Sequence, residues 1–246
     1  MHKAKFRQGI NQTAKSTGKF HSGRRRISKE DFSFEEADDR VAEIFRNHGM
    51  GDYPYQKRHQ LVSFYFLLMK HQKTYNLTRL VSLRDVAIKH FIDCLMIPRL
   101  TQLQFPLLDM GTGAGFPGIP LKIDFPDERI ILNEGVQKKV DFLKVVREQM
   151  GLKNLDIIGR KVDKDFSYPV QGIITRAVED LCENLERVHD FLPSGAKVYF
   201  MKGPNVSVEV ESAVSRLSHK FVLDANMPYE IVETPHKRRL VVFKKI

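Results

Sequence analysis

The run Leu108-Asp109-Met110-Gly111-Thr112-Gly113-Ala114-Gly115-Phe116-Pro117-Gly118 decides the fold of this chain. It ends a short apolar segment, 105–110, that predicts a buried strand, and it precedes an apolar stretch, 119–124, that predicts a helix. Glycines at a turn from strand to helix permit a tight bend and let the backbone approach a ligand closely. The run therefore predicts a ligand-binding loop at the carboxyl end of a strand in an α/β sheet.

Short apolar runs recur after this loop, and helical stretches separate several of them. The predicted strands cover 105–110, 129–133, 155–158, 172–175, 197–201 and 240–243, and the clearest helices between them cover 138–150 and 181–191. Apolar strands that alternate with helices are typical of a mostly parallel sheet flanked by helices on both faces. Residues 105–246 are therefore expected to form one α/β domain.

Three helices are predicted before the sheet. A helical period begins at Ala37 and ends near Gly49, and residues 56–73 are too apolar all round for an exposed helix. A third helix is predicted over 84–97, and Pro98 is expected to end it. Residues 37–104 are therefore expected to form an N-terminal helical unit.

The charge of the chain is concentrated at its beginning. Residues 1–29 carry nine Lys and Arg side chains and no Asp or Glu, so they hold almost all of the net charge of +10. Residues 1–36 are predicted to be a disordered basic arm. RNA is the polyanion best suited to such an arm, with Arg24, Arg25 and Arg26 as expected contacts. A solubilising tail and an organelle transit peptide stay open as alternatives.

Composition excludes several classes of protein. The 246 residues suffice for one domain of moderate size with a small accessory unit. They contain no apolar stretch long enough to span a membrane. Cys94 and Cys182 are far apart and form no C-x-x-C pair, which argues against a disulfide framework or a thiolate zinc site. We expect a cytoplasmic protein that binds no metal.

Two classes of nucleotide-like ligand fit the glycine run. Counted from Gly113 it satisfies G-x-G-x-x-G, the dinucleotide fingerprint, and an NAD-dependent dehydrogenase is one alternative. Counted from Gly111 it reads G-x-G-x-G with Asp109 two residues earlier, the pattern of S-adenosylmethionine methyltransferases. Asp109 would repel a pyrophosphate but would help to hold the methionine ammonium. Glu134, after the next strand, is expected to accept hydrogen bonds from ribose hydroxyls.

Further segments accompany this loop in a definite order along the chain. They are Tyr75-Asn76-Leu77-Thr78, Lys89-His90-Phe91-Ile92-Asp93-Cys94, the loop 109–120, Lys138-Lys139-Val140-Asp141-Phe142-Leu143, Thr175-Arg176-Ala177 and Met201-Lys202-Gly203. On these segments the chain resembles the ribosomal small-subunit methyltransferase G family, formerly called glucose-inhibited division protein B. The resemblance implies a Rossmann-like class I S-adenosylmethionine methyltransferase. Its implied substrate is N7 of a guanine in 16S rRNA, as naked RNA or in the small ribosomal subunit.

The resemblance also implies where the methyl donor binds. Glu134 stands where the family usually has Asp, and it is the implied ribose acid. The other positions expected to bind S-adenosylmethionine, from the loop and from the resemblance, are Asp109, Gly111, Gly113, Phe116, Val162, Asp163 and Arg176.

Methyl transfer to guanine N7 makes few demands on catalytic groups. This nitrogen has a free lone pair and no proton to lose, so alignment of the reacting atoms suffices and no general base is expected. Arg176 and His90 are the candidate positioning residues, although His90 and Asp93, three residues apart, could equally form a structural pair. Lys202, after the fifth strand, is the candidate for an RNA phosphate.

Two other functions stay open at this point. One is an S-adenosylmethionine-dependent methyltransferase that acts on a small molecule or a protein. The other is a ribosome-assembly factor that binds the donor and RNA without methylating. The intact glycine run and Glu134 disfavour the assembly factor. Fold and cofactor do not fix the acceptor of a methyltransferase, so the first alternative stays open.

Overall fold

The structure, a computed structural model, describes residues 32–163, 165–176 and 180–246. Helix α1 (Phe34–Asn47) begins at a capping box. Ser33 Oγ accepts a hydrogen bond from the Glu36 backbone N–H, and the Ser33 N–H donates to the Glu36 carboxylate. Residues 34–36 are therefore helical, which corrects the expected end of the arm at 36. The predicted arm contacts Arg24, Arg25 and Arg26 lie outside the described residues.

Helix α2 (Tyr55–Tyr75) is the central helix of the N-terminal unit, and its buried residues include Leu61, Phe64 and Leu68. Burial of large side chains on several faces matches the prediction from its composition. The helix ends at Asn76, which has a left-handed φ of 51°. This turn leads directly into Thr78, a residue that reaches the candidate site.

The third predicted helix is broken into several segments. They are α3 (Leu83–Val86), a π-helix (Ala87–Ile92), α4 (Asp93–Leu95) and α5 (Ile97–Leu100). The expectation that Pro98 ends the helix was wrong, because Pro98 occupies the first turn of α5, where a missing N–H is harmless. The π-helix is wider than an α-helix, and such segments are frequent at functional sites. It carries Lys89 and His90.

Seven strands form one sheet in the order β3-β2-β1-β4-β5-β7-β6. The first five strands of this order are parallel, and β7 runs antiparallel to both of its neighbours. Their bounds are β1 (Leu107–Met110), β2 (Ile130–Asn133), β3 (Leu155–Ile158), β4 (Gly172–Arg176), β5 (Lys197–Lys202), β6 (Phe221–Glu230) and β7 (Lys237–Lys245). This arrangement confirms the predicted mostly parallel sheet.

Helices cover both faces of the sheet, and the N-terminal unit is part of that cover. The helices within the sheet domain are α6 (Gly118–Asp124), α7 (Gln137–Gln149), α8 (Leu181–His189) and α9 (Ser207–Leu217). One apolar cluster joins α1 and α2 to the sheet and includes Phe64, Phe91 and Tyr199. A second cluster, with Leu185 and Phe243, includes buried residues of α8, α9 and the sheet. The helical unit therefore shares its core with the sheet.

The described part of the chain shows neither a membrane-spanning helix nor a cluster of metal ligands. No helix there combines the length and the apolar character that a membrane span requires. No group of three or more His, Cys, Asp and Glu side chains in the same residues is arranged to hold a metal ion. Both cysteines, Cys94 and Cys182, are free and buried.

Candidate active site

The glycine loop connects β1 to α6 at the carboxyl edge of the sheet. Strand β1 lies between β2 and β4, so the loop opens onto the crevice where parallel α/β sheets bind ligands. Gly113 has a φ of +62°, and a Cβ added there would meet no atom within 4 Å. Gly115 has a φ of +100°, and its added Cβ would lie 2.6 Å from Ile119 Cγ1. Gly115 is needed for packing, whereas Gly113 borders open space that a ligand can fill.

Asp109 fastens this loop from within β1. Its side chain is completely buried, and Oδ2 accepts hydrogen bonds from Thr112 Oγ1 at 2.6 Å and from the Gly118 N–H at 2.7 Å. Burial raises the pKa of Asp109 to about 7, although both hydrogen bonds act to lower it. The structure thus gives Asp109 a contact with each end of the loop, and its expected contact with the donor ammonium stays a prediction.

Glu134 follows β2 and faces the same edge of the sheet. It is 7% exposed, and Oε1 accepts a hydrogen bond from the Val136 N–H at 2.8 Å. Oε2 lies 3.9 Å from the Lys139 ammonium. A carboxylate can accept about four hydrogen bonds, so Glu134 has capacity left for hydroxyl groups. Its position and chemistry fit the ribose of S-adenosylmethionine.

Val162 and Asp163 follow β3, the next strand outward. Val162 is buried in the apolar cluster of the α8 and α9 face, and Asp163 is exposed. Asp163 Oδ1 accepts a hydrogen bond from the Asp165 N–H, which closes a short turn. Both residues lie near the carboxyl end of β3, beyond Glu134, and their contact with the donor stays a prediction.

Arg176, the last residue of β4, joins the π-helix to the glycine loop. Its Nη2 donates to His90 Nδ1 at 3.1 Å, and its Nη1 donates to the Lys89 carbonyl at 3.4 Å. Its guanidinium carbon lies 5.4 Å from the ring centroid of Phe116, on which His90 also stacks. The structure therefore brings together Arg176, His90 and Phe116, and the expected contacts of Arg176 and Phe116 with the donor stay predictions.

His90 is a neutral histidine with both ring nitrogens engaged. Arg176 can only donate, so His90 Nδ1 must accept and Nε2 must carry the proton. Nε2 then donates to Thr78 Oγ1 at 3.2 Å. Burial is the main cause that lowers the pKa of His90 to about 3, and the positive charge of Arg176 is the second. At neutral pH this side chain is therefore uncharged and accepts the hydrogen bond from Arg176.

Asp93 meets His90 only through Arg176, which replaces the expected His90–Asp93 pair. Asp93 is 2% exposed, and its Oδ2 lies 3.6 Å from Arg176 Nη1. Oδ1 accepts a hydrogen bond from the Tyr229 hydroxyl at 3.0 Å and lies 3.5 Å from Arg238 Nε. Burial raises the pKa of Asp93, whereas the two arginines lower it. Tyr229 was not among the residues predicted from the sequence, because β6 was not predicted.

A cleft of about 420 Å³ opens beside this cluster, at the carboxyl ends of β4 and β5. Leu80, Met201 and Gly203 supply uncharged parts of its wall. Lys202 lines it as well and is paired with Glu209 at 2.8 Å. The cations that line the cleft are Lys89, Arg176, Lys202 and Arg238. A cleft with this lining attracts an anionic substrate.

Comparisons with known proteins agree with this geometry. The family GidB, described as rRNA small subunit methyltransferase G, matches residues 57–240. This chain belongs to that family. The methyltransferase is 53% identical, over 224 residues, to a "Ribosomal RNA small subunit methyltransferase G 2" of Bdellovibrio bacteriovorus, with 91% of this chain and 88% of the relative covered.

Other relatives and one solved structure extend the comparison. A "Ribosomal RNA small subunit methyltransferase G" of Clostridium botulinum is 34% identical over 206 residues, with 79% of this chain and 85% of the relative covered. The ribosomal protein L11 methylase of Lactobacillus delbrueckii subsp. bulgaricus superimposes with a TM-score of 0.50 at 14% identity, covering 67% of this chain and 80% of that one. The latter likeness supports the fold alone. The family confirms that this methyltransferase uses S-adenosylmethionine as methyl donor.

Proposed function

We propose that this methyltransferase transfers the methyl group of S-adenosylmethionine to N7 of a guanine in 16S rRNA. The proposal rests on the cation-lined cleft next to the glycine loop. The histidine that lines this cleft, His90, is neutral, and both of its ring nitrogens are hydrogen-bonded. The printed names of the relatives, rRNA small subunit methyltransferases, support the substrate class.

The residues around the donor bind and orient it. S-adenosylmethionine supplies a methyl group on a positively charged sulfur, which is a reactive electrophile without further activation. Glu134 would accept hydrogen bonds from the ribose, and the open space at Gly113 would admit the donor against the loop backbone. Asp109 stabilises the conformation of that loop through its hydrogen bonds with Thr112 and Gly118. These residues perform a binding task, and the gain in rate comes from alignment.

Among the described residues that line the cleft, His90 and Asp93 could accept a proton and both are engaged, which favours N7 over an exocyclic amine as the acceptor. Guanine N7 presents a lone pair and no proton, so its methylation needs no group to receive a proton. His90 uses both ring nitrogens, and the Asp93 carboxylate is bound by Tyr229 and two arginines. Leu80 and Met201 offer apolar contact for a base, while the surrounding cations suit its phosphates.

The partner and the location follow from this substrate. We infer that the enzyme acts in the cytoplasm on the small ribosomal subunit or on its RNA before assembly. The basic residues 1–29 would add phosphate contacts, with Arg24, Arg25 and Arg26 among them.

A labelling experiment tests the proposal. The full chain is incubated with methyl-labelled S-adenosylmethionine and either 16S rRNA or small subunits, and the modified base is mapped by chain cleavage specific for N7-methylguanine. Label at a single guanine N7 supports the proposal. Label at another position, or on protein or small molecules only, contradicts it. Donor binding without any transfer would instead favour an assembly factor.

A further inference from the structure

Asp93 is a buried carboxylate with partners from two other parts of the chain. It belongs to α4 of the helical unit, while Arg176 ends β4 and Tyr229 and Arg238 belong to the β6–β7 hairpin. Its side chain is 4% exposed. A carboxylate this buried needs both charge compensation and hydrogen bonds to stay ionised. Tyr229 provides the hydrogen bond at 3.0 Å, and the arginines provide the charge.

Tyr229 fixes the direction in which this carboxylate points. Its hydroxyl donates to Oδ1, the same oxygen that lies 3.5 Å from Arg238 Nε, so Oδ2 is left for Arg176. The tyrosine is 7% exposed, and its ring is held in the apolar core. One rigid side chain therefore sets where both guanidinium groups meet Asp93.

The two arginines differ from the lysines of the cleft in how their charge is balanced. Lys89 has its own carboxylate, Asp85, at 2.6 Å, and Lys202 has Glu209 at 2.8 Å. Arg176 and Arg238 instead share the single carboxylate of Asp93. Among the described residues, one carboxylate lies within 4 Å of these two guanidinium groups. The pair is thus suited to bind a further anion that enters the cleft.

We propose that Asp93 and Tyr229 are positioning residues that hold Arg176 and Arg238 as a receptor for a phosphate of the substrate RNA. The proposal rests on the proposed function in taking RNA as the substrate. Guanidinium groups bind phosphate through paired N–H donors, so the angle at which they are held matters as much as their charge. Neither Asp93 nor Tyr229 touches the RNA.

Tyr229→Phe gives the sharpest test, because it changes no charge. The full chain and the variant are compared in direct binding of a 16S rRNA fragment at several salt concentrations. KM for RNA, kcat and the dissociation constant of S-adenosylmethionine are measured alongside. We expect the affinity for RNA to fall about tenfold and the KM for RNA to rise about tenfold. The affinity should also depend less steeply on salt concentration, because fewer phosphates are contacted. Donor binding is expected to weaken less than RNA binding, because Arg176 is one of several expected donor contacts whereas the phosphate would meet both arginines.

Asp93→Asn distinguishes positioning of the arginines from long-range electrostatics, because the two explanations predict opposite changes in RNA affinity. The substitution removes a negative charge from the cleft, which by long-range electrostatics alone strengthens RNA binding. If Asp93 acts by positioning the arginines, the variant binds RNA more weakly than the wild type. Should Tyr229→Phe fail to fold, Arg238→Gln replaces it, since Arg238 is 28% exposed at its side chain. In that variant the salt slope, which is the dependence of log affinity on log salt concentration, should decrease by the equivalent of about one phosphate contact.

Matched controls separate positioning from loss of a buried bond. Tyr199→Phe removes a buried hydroxyl that donates to the Gln102 carbonyl at 3.0 Å, on the amino side of the sheet. Asp38→Asn breaks a buried ion pair with Arg58 in the helical unit. Both controls are expected to lose stability while their RNA salt slope stays that of the wild type.

The outcomes distinguish this inference from the proposed function. Wild-type binding and salt slope in folded Tyr229→Phe and Asp93→Asn overturn the inference, even if the enzyme methylates RNA. If the wild type binds RNA but does not methylate it, the proposed function fails, and weaker binding by both variants still supports the receptor. If the wild type does not bind RNA, both fail.

Discussion

The imidazole of His90 stacks on the ring of Phe116, with centroids 4.2 Å apart and planes inclined by 22°. Phe116 belongs to the glycine loop, whereas His90 belongs to the π-helix of the N-terminal unit. The stack therefore joins the glycine loop to the wall of the cleft. Arg176 completes the contact, since it bonds His90 and lies over Phe116.

His90→Phe should separate the stacking from the hydrogen bonds. The new ring can still stack on Phe116, but Arg176 Nη2 loses its acceptor at 3.1 Å. Loss of a hydrogen bond to a charged group costs about 1.5–3 kcal/mol, so we expect kcat/KM to fall about 10- to 100-fold. Steady-state kinetics with RNA measure this, and calorimetry should show donor binding close to the wild type. An unchanged kcat/KM would exclude a positioning role for His90.

The low pKa of His90 predicts a specific dependence of stability on pH. In the unfolded chain this histidine takes up a proton below about pH 6.5, whereas in the folded protein its pKa is about 3. Its contribution to stability is therefore complete above pH 6.5 and is lost as the pH falls toward 3. At pH 5 the loss reaches about 2 kcal/mol.

Urea unfolding of the wild type and of His90→Phe at pH 7.5 and pH 5 checks this expectation. The stability of the wild type should fall more than that of the variant, and the difference isolates His90 from the other titrating groups. If both proteins lose the same free energy of unfolding between pH 7.5 and pH 5, folding does not lower the pKa of His90.

Gly113→Ala should weaken donor binding without a large structural change. The residue has a φ of +62° and open space around an added Cβ, so we expect a cost of about 1–2 kcal/mol in stability from backbone strain. Gly195→Ala is the matched control, because Gly195 has a φ of +84°, equally open space, and a position before β5 away from the loop.

The comparison of these two variants tests the loop assignment. Calorimetric titration with S-adenosylmethionine should give at least about tenfold weaker binding for Gly113→Ala and wild-type binding for Gly195→Ala. Equal donor affinity in both variants would place the donor away from Gly113.

Glu134→Gln should lower the affinity for the ribose of the donor. The amide keeps the size of the side chain but loses the charge that strengthens hydrogen bonds from hydroxyl groups. We expect binding to weaken about tenfold. The factor should be the same for S-adenosylmethionine and S-adenosylhomocysteine, because both carry the same ribose. A loss confined to one of the two compounds would contradict a ribose contact.

Most of the parallel sheet was predictable because its strands are short, apolar and buried. Strands β1, β2 and β3 lie within one or two residues of their predicted bounds. Strand β6 was missed although apolar and polar residues alternate over 223–230, because Asp224, Asn226 and Pro228 are residue types that are rare in strands and are tolerated at the edge of a sheet. Helix α9 was missed as well, since Val208 and Val214 leave an exposed apolar face that blurs its period.

The candidate site was predictable to the extent that its residues lie at strand ends. Gly113, Glu134 and Arg176 follow or end parallel strands, and the topology brings such positions to one edge. The buried link from Asp93 to Tyr229 was not predictable, because it spans 136 residues and depends on the unpredicted β6. Contacts this distant are set by the tertiary fold and leave no local signal.

Strand β7 is the last of the seven in chain order, yet it lies between β5 and β6. A chain under synthesis therefore completes every other strand before the one that joins β5 to the hairpin partner. Until β7 is made, Arg238 is missing from the cleft and β5 has an open edge. A partial chain that stops before β7 thus lacks one cation of the cleft and the strand that links β5 to β6.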